Sequence, residues 1–161
     1  MTTSEYNRCV DEYSDSVFRF VLKNLRDEEQ ARDVVQDAFM KMWEKAATIT
    51  NSKAKSYLFT AAYHTMIDSI RREKKYTSSE EISKETFVTN SHYSDLKEIL
   101  DEAFSILPEV QKSVLLLRDY EGYSYADIGE VINLNESQVK VYIYRARLAM
   151  KKYIGSMEMV I

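Results

Sequence analysis

Proline occurs once, glycine three times, histidine twice and cysteine once in 161 residues. So little proline and glycine disfavours a turn-rich β architecture and favours long helices. The lone Cys9 has no internal disulfide partner, which suits a reducing compartment. His64 and His92 lie far apart in sequence, and there is no Gly-rich phosphate loop, no C-x-x-C and no His pair at i, i+4. Metal, triad and nucleotide-hydrolysis chemistry therefore lack their usual residues, and no cofactor or catalysis is expected. The longest aliphatic run, Val114 to Leu117, is far too short to cross a bilayer, and the N-terminus has no signal-peptide core. The expectation is a soluble, cytoplasmic, all-α protein.

Charge is what the chain has in quantity, and it is unevenly spread. The net charge is −4, yet residues 51–75 hold six basic and two acidic groups, and residues 138–161 hold five and one. Residues 76–109 hold two basic and eight acidic groups. Two short basic patches in an otherwise acidic chain suffice for phosphate contact, which needs only local positive charge. Each patch alone could equally be a solvated helix face.

Apolar spacing predicts a first helix over 3–25 and a second over about 28–46, capped by Asp27 with Gln30. The second would bury Ala31, Val34, Val35, Ala38, Phe39, Met42 and Trp43, leaving Asp33, Gln36, Asp37, Lys41 and Glu44 outward. Residues 47–53 read as a loop. A third helix, Ala54 to Lys75, carries a broad apolar stripe suited to the middle of a three-helix domain. Residues 76–93 lack periodicity and are rich in Ser, Thr and Glu, so they read as an acidic linker. Beyond it, Leu96, Ile99, Leu100, Ala103, Phe104 and Leu107 mark a helix ended by Pro108. Pro108 suits the first position of the next helix, which runs to about Tyr120, with Gly122 as its stop. The expected organisation is two small helical domains, 1–75 and 94–161, joined by the linker 76–93.

The stretch Ser124 to Tyr153 is the most specific. Ser124 with Asp127 caps one short helix; Ile128, Val131 and Ile132 form its apolar stripe. Gly129 allows close approach, Asn133 tolerates a left-handed reversal, and Asn135 with Gln138 caps a second helix. Val139, Ile143 and Ala146 would face inward. This is helix-turn-helix spacing. Ser137, Gln138, Lys140, Val141, Tyr142, Tyr144 and Arg145 lie off the buried face, where Gln can pair with adenine and Lys with guanine or phosphate. Arg147, Lys151 and Lys152 follow as phosphate contacts or plain solvated charges.

The order of these motifs resembles the extracytoplasmic-function (ECF) type of RNA polymerase sigma factor, within the sigma-70 family. A-R-D-V-V-Q-D-A-F-M-K-M-W (31–43) resembles the part of region 2 that docks on the coiled coil of the polymerase β′ subunit, which makes Asp33, Gln36, Asp37 and Lys41 a contact face. Y-L-F-T-A-A-Y-H-T-M-I-D-S-I-R-R (57–72) resembles the part that recognises and holds open the −10 element. The resemblance gives that role to Lys53, Tyr57, His64, Asp68, Arg71 and Arg72, with loop 47–53 taking up an unstacked base. L-P-E-V-Q-K-S-V-L-L-L-R-D-Y-E-G-Y-S-Y-A-D-I-G-E-V-I (107–132) with V-K-V-Y-I-Y-R-A-R resembles region 4, which reads the −35 element. Two positions depart: His64 stands where the family often has Asn, and Val141-Tyr142 where it usually has Ser-Arg.

The resemblance implies a factor that binds core RNA polymerase through the β′ coiled coil and the β flap and places it on promoter DNA. It further implies control by an anti-sigma factor, often a membrane protein. An alternative from the residues alone is a stand-alone helix-turn-helix repressor or activator with 1–75 as a sensing or dimerisation domain; the segments 31–43 and 57–72 discriminate the two.

Overall fold

Thr2 starts the first helix through its side chain. Its Oγ1 accepts from the Glu5 N–H at 3.1 Å, while the Thr2 N–H donates to the Glu5 carboxylate at 3.2 Å. Two backbone donors with no helical partner are thereby satisfied. The computed structural model describes residues 1–77 and 95–158. Helix α1 (Thr3–Leu25) ends where Arg26 turns left-handed at φ 58°. Asp27 accepts from the N–H groups of Glu29 and Gln30 and opens α2 (Glu28–Glu44). A single 3₁₀ turn (Asn51–Lys53) leads into α3 (Ala54–Thr77). The loop before it is pinned by the chain's amino group, which donates to the carbonyls of Ala46 and Ile49 at 2.8 and 3.1 Å.

After the undescribed stretch come α4 (Asp95–Ser105) and α5 (Glu109–Leu115), the latter running on as a π-helical turn, Leu116–Tyr120. Then follow α6 (Tyr125–Ile132) and α7 (Glu136–Glu158). No strand occurs among the described residues, so the all-α expectation holds. The linker expected over 76–93 lies outside the described residues except at its start, where α3 runs on through Thr77. Pro108 stands one position earlier than expected, as the non-helical residue before α5 with ψ 151°.

The sequence expectation put Trp43 inside and took the apolar stripe of α4 only as the mark of a helix. The structure leaves Trp43 52%, Leu96 67% and Leu100 40% exposed. Trp43 is held at the rim by an edge contact with the Tyr6 ring at 4.9 Å rather than by burial. Leu100 lines a groove where the ends of α1, α4 and α7 meet, beside Leu22, Phe104 and Met150.

Helix α3 is central: it packs on α1, α2 and α6. Its buried Leu58, Phe59, Ala62 and Met66 meet Phe20 and Val17 of α1 on one side, and on another they join Leu117, Tyr123 and Ile128 of the C-terminal half in one continuous cluster. Burying a Phe such as Phe59 contributes on the order of 2 kcal/mol. Phe59 stacks edge-on against Phe20 at 5.6 Å and against Tyr123 at 5.2 Å, so one ring ties both halves together.

The cation contacts across this seam run one way. Arg19 pairs with Glu121 at 2.9 Å, Lys74 with Glu109 at 3.2 Å and Lys53 with Glu130 at 4.0 Å, each with the cation on the N-terminal half. Lys23 lies over the Tyr120 ring at 3.8 Å and Lys55 over the Tyr123 ring at 4.3 Å, in the same sense. Tyr123 also carries a cost. Its hydroxyl is buried with no hydrogen-bond partner among the described residues, and burial pushes the phenol far up from its ordinary pKa.

Candidate nucleic-acid and polymerase interfaces

The turn between α6 and α7 is built from backbone constraints. Asn133 takes φ 64° and ψ 51°, and the Leu134 N–H donates to the Gly129 carbonyl at 2.9 Å. A Cβ on Gly129 would collide with the Leu134 carbonyl and touch Val139 Cγ2 at 3.7 Å. Glycine is therefore required by the backbone of the turn itself, and the second helix adds only an ordinary contact. Asn135 and Gln138 then cap α7 reciprocally: Oε1 of Gln138 accepts from the Asn135 N–H at 3.0 Å, and Oδ1 of Asn135 accepts from the Gln138 N–H at 2.8 Å. Val139, Ile143 and Ala146 are buried as expected.

On the opposite face of α7, Ser137, Gln138, Lys140, Val141, Tyr144 and Arg145 are exposed. Tyr142 departs from the expectation: it is half-buried and packs on the core cluster. Several of the others already have an intramolecular contact. The Gln138 carbonyl serves the cap, so a bidentate pairing with a base competes with it. Lys140 stands over the Tyr125 ring at 5.3 Å, and the Arg118 guanidinium lies over that ring at 4.4 Å while donating to the Tyr123 carbonyl at 2.9 Å. Arg147 donates to Asp119 at 2.6 Å, a charge-assisted bond that ties α7 to the π-helical turn. Its structural role thus has a geometry; Lys151 and Lys152 are exposed. The Arg118–Tyr125 stack was not read from the sequence, because its partners come together only through the fold.

Helix α3 presents Tyr57, His64, Asp68, Arg71 and Arg72 within about 100° of its circumference. All but the half-buried Tyr57 are exposed. This face points away from the seam, where Phe59 and Tyr63 sit. Lys53 stands at its N-terminal end, 68% exposed and directed to Glu130. Lys55, missed in the sequence, lies beside it on the seam. A run of exposed cations at one end of a helix, with an aromatic residue at the other, can follow a phosphate backbone and stack a base.

On α2, Asp33 and Gln36 are exposed, and Asp37 and Lys41 form an i, i+4 ion pair at 2.9 Å. Thr65 of α3 donates to the same Asp37 oxygen at 2.9 Å and accepts from Lys41 at 3.2 Å. The Lys41 hydrogen bond, with help from Thr65 and against some burial, holds the Asp37 carboxyl below the usual carboxylate range. The α2 polar face is thereby clamped to α3. Met40, 57% exposed, and Trp43 extend this face with apolar surface. The spacing Gln36–Met40–Trp43, at i+4 and i+7, was the available signal; a stripe alone does not say whether a core or a partner covers it.

Comparison with known proteins gives the same assignment to the two halves. Residues 9–76 match the family described as Sigma-70 region 2, and residues 97–150 match Sigma-70, region 4. The chain is 30% identical over 151 residues to the RNA polymerase sigma factor YlaC of Bacillus subtilis (strain 168), covering 88% of this chain and 87% of that protein. It is 29% identical over 144 residues to the ECF RNA polymerase sigma factor SigM of the same organism, covering 86% and 88%. Among solved structures it is similar in fold to the sigma factor RpoE in complex with the anti-sigma factor NepR from Bartonella quintana, with a TM-score of 0.78, 20% identity and coverage of 95% of this chain and 98% of that one. It is also similar to CnrH in complex with the cytosolic domain of CnrY, with a TM-score of 0.68, 17% identity and coverage of 94% and 88%. With region 2 clamping α2 to α3 and region 4 presenting the capped α7, the chain belongs to the ECF type of the sigma-70 family of RNA polymerase sigma factors.

Proposed function

We propose that this protein binds core RNA polymerase and directs it to promoters carrying matched −35 and −10 elements, without catalysis of its own. Residues 1–75 make the polymerase contact and the −10 grip, and residues 94–161 make the −35 grip. In this reading Asp33, Gln36, Asp37 and Lys41 dock on the polymerase, and Met40 and Trp43 supply apolar area beside them. Ser137, Gln138, Lys140, Val141, Tyr144 and Arg145 face the −35 duplex, with Tyr142 at the edge. Lys53, Tyr57, His64, Asp68, Arg71 and Arg72 hold the opened −10 strand.

The observation that carries this reading is the clamp of Asp37 and Lys41 onto Thr65. It joins the docking face of one helix to the flank of the −10 helix, so a polymerase bound at α2 fixes where α3 lies. A plain helix-turn-helix repressor has no use for such a coupling.

An anti-sigma factor would control it. One solved relative in fold is in complex with an anti-sigma factor and the other with the cytosolic domain of its partner, which supports a membrane-bound regulator acting on a cytoplasmic sigma factor. No helix among the described residues is long and apolar enough to cross a membrane, so in this scheme the membrane anchor resides in the partner.

Run-off transcription with purified core polymerase across a genomic promoter pool tests the proposal. Promoter-specific transcripts that require this protein are expected; their absence would reject it.

A further inference from the structure

The exposed side chains of α7 fall into three bands. Four of them, Ser137, Val141, Tyr144 and Leu148, lie within about 60° of one another, opposite the buried Val139, Ile143 and Ala146. Lys140 and Arg147 stand on one flank of this midline, and Gln138 and Arg145 on the other. The midline itself holds no charge. Val141 is 44%, Tyr144 66% and Leu148 37% exposed, and none of the three belongs to an apolar cluster among the described residues. An outward apolar line of this kind marks a surface that a partner covers.

The cationic flanks say that the partner is duplex DNA. A helix in a major groove turns its midline to the base edges and its flanks to the phosphates of the two strands. Lys140 and Arg145 then stand at the groove walls, and the chemistry of the midline decides which base it meets. Guanine, adenine and cytosine are marked in the major groove by hydrogen-bonding groups; thymine alone adds a methyl, at C5. A donor or acceptor pressed against Val141 would lose its water and gain no partner, whereas a methyl loses only apolar hydration. The side chains able to pair with polar edges are engaged elsewhere. Gln138 Oε1 accepts from the Asn135 N–H at 3.0 Å, and the Lys140 ammonium lies over the Tyr125 ring at 5.3 Å. The first turns of a recognition helix reach deepest, so Val141, in the second turn of α7, meets the base. Leu148 lies two turns further on, at the groove exit.

We infer that Val141 is a specificity-determining residue of the −35 contact, selecting thymine through its C5-methyl group, with Tyr144 extending the apolar contact along the same line. This rests on the sigma-factor reading above.

Uracil keeps the hydrogen-bonding groups of thymine and lacks only the methyl, so it is the probe. A promoter duplex is taken from the run-off pool, and each thymine of its −35 element, on either strand, is replaced in turn by uracil. Holoenzyme reconstituted with wild type, Val141→Ala or Leu148→Ala is titrated against every duplex. Uracil at one or two positions should weaken wild-type binding about fourfold, as expected for one buried methyl. Val141→Ala should weaken binding to the unsubstituted duplex by a similar factor and lose its sensitivity to uracil at one of those positions. Leu148→Ala should keep that sensitivity throughout. Val141 is exposed and alanine favours helix, so the variant retains the fold, which circular dichroism checks.

Wild-type binding indifferent to uracil at every position would overturn the inference. So would a Val141→Ala protein with wild-type sensitivity at every position, or a Leu148→Ala protein that loses the same one. A Val141→Ala holoenzyme that binds every duplex as the wild type does would also overturn it, and would leave the apolar line to a protein partner. Run-off transcription on unmodified templates separates the two claims. Promoter-specific transcripts combined with indifference to uracil remove the thymine contact and leave the sigma reading. No promoter-specific transcript from the wild type removes the sigma reading, and the thymine contact with it.

Discussion

In the proposed function the two reading helices would meet DNA in different conditions. On α7, the side chains that would touch the −35 duplex are already partly committed: Gln138 to its cap, Lys140 to the Tyr125 ring, Tyr142 to the core. On α3, His64, Asp68, Arg71 and Arg72 are simply exposed along one face. A duplex groove offers fixed base edges, and a reader held in place by its own packing loses little entropy on meeting them. An opened strand has no fixed shape, and mobile charged side chains can follow it. In that proposal the contrast gives rigidity to the −35 half and adaptability to the −10 half.

The largest expected effect comes from breaking the rigid half at its tightest point. Gly129→Ala puts a Cβ against the Leu134 carbonyl and should cost about 1–3 kcal/mol, read as a fall in thermal midpoint of several degrees. Binding to −35 duplex should fall with it; an undisturbed midpoint would mean the turn yields easily and the rigidity is overstated. Next is the coupling between halves of region 2. Asp37→Arg reverses charge on the proposed docking face and breaks the tie to Thr65, so core affinity should weaken about tenfold or more. Unchanged affinity would reject that face.

Gln138→Ala sharpens the comparison further. It removes half of a capping box, worth about 1 kcal/mol of stability, and any base contact, worth about 1–3 kcal/mol at one base pair of the −35 element. A loss that is uniform over all −35 sequences would mean that Gln138 serves the helix alone.

Much of this was legible in the sequence because it is local. Gly129, Asn133 and the Asn135–Gln138 pair lie within ten residues, and each has one conformational use, so the helix-turn-helix could be read directly. The caps at Asp27 and Ser124 were legible for the same reason. Trp43 was misplaced, and the exposure of Leu96 and Leu100 went unread, because periodicity reports which residues share a face and says nothing about what covers it. The π-helical turn at Leu116–Tyr120 left no mark on an aliphatic run. The Phe59–Tyr123 seam joins residues 64 positions apart by charge and ring contacts that only the fold brings together. The exposed polar faces of α2, α3 and α7 could be anticipated from spacing; the exposure of Met40 and Trp43 beside them, and the seam, could not.

The smallest expected effect is electrostatic. Asp37 has a depressed carboxyl pKa in the folded protein, so its pairing with Lys41 contributes stability that is present above the usual value of 3.8 and disappears as pH falls through the lower folded value. Both side chains are well exposed, so screening leaves well under about 1 kcal/mol. Asp37→Asn should therefore lower the thermal midpoint slightly near neutral pH, and the gap to wild type should close as the pH drops below the ordinary carboxylate range. A gap that persists in acid would assign the tie to Thr65 hydrogen bonding instead of charge.

The central claim is a grip at two points by two different helices. Footprinting of the reconstituted holoenzyme on one promoter tests it most directly, using Arg71→Ala with Arg72→Ala on α3 against Lys140→Ala with Arg145→Ala on α7. The account predicts that the first pair loses protection and strand opening at −10 while −35 protection remains, and that the second pair loses −35 protection first. Equal loss at both elements from either pair, or a single protected site in the wild type, would contradict it.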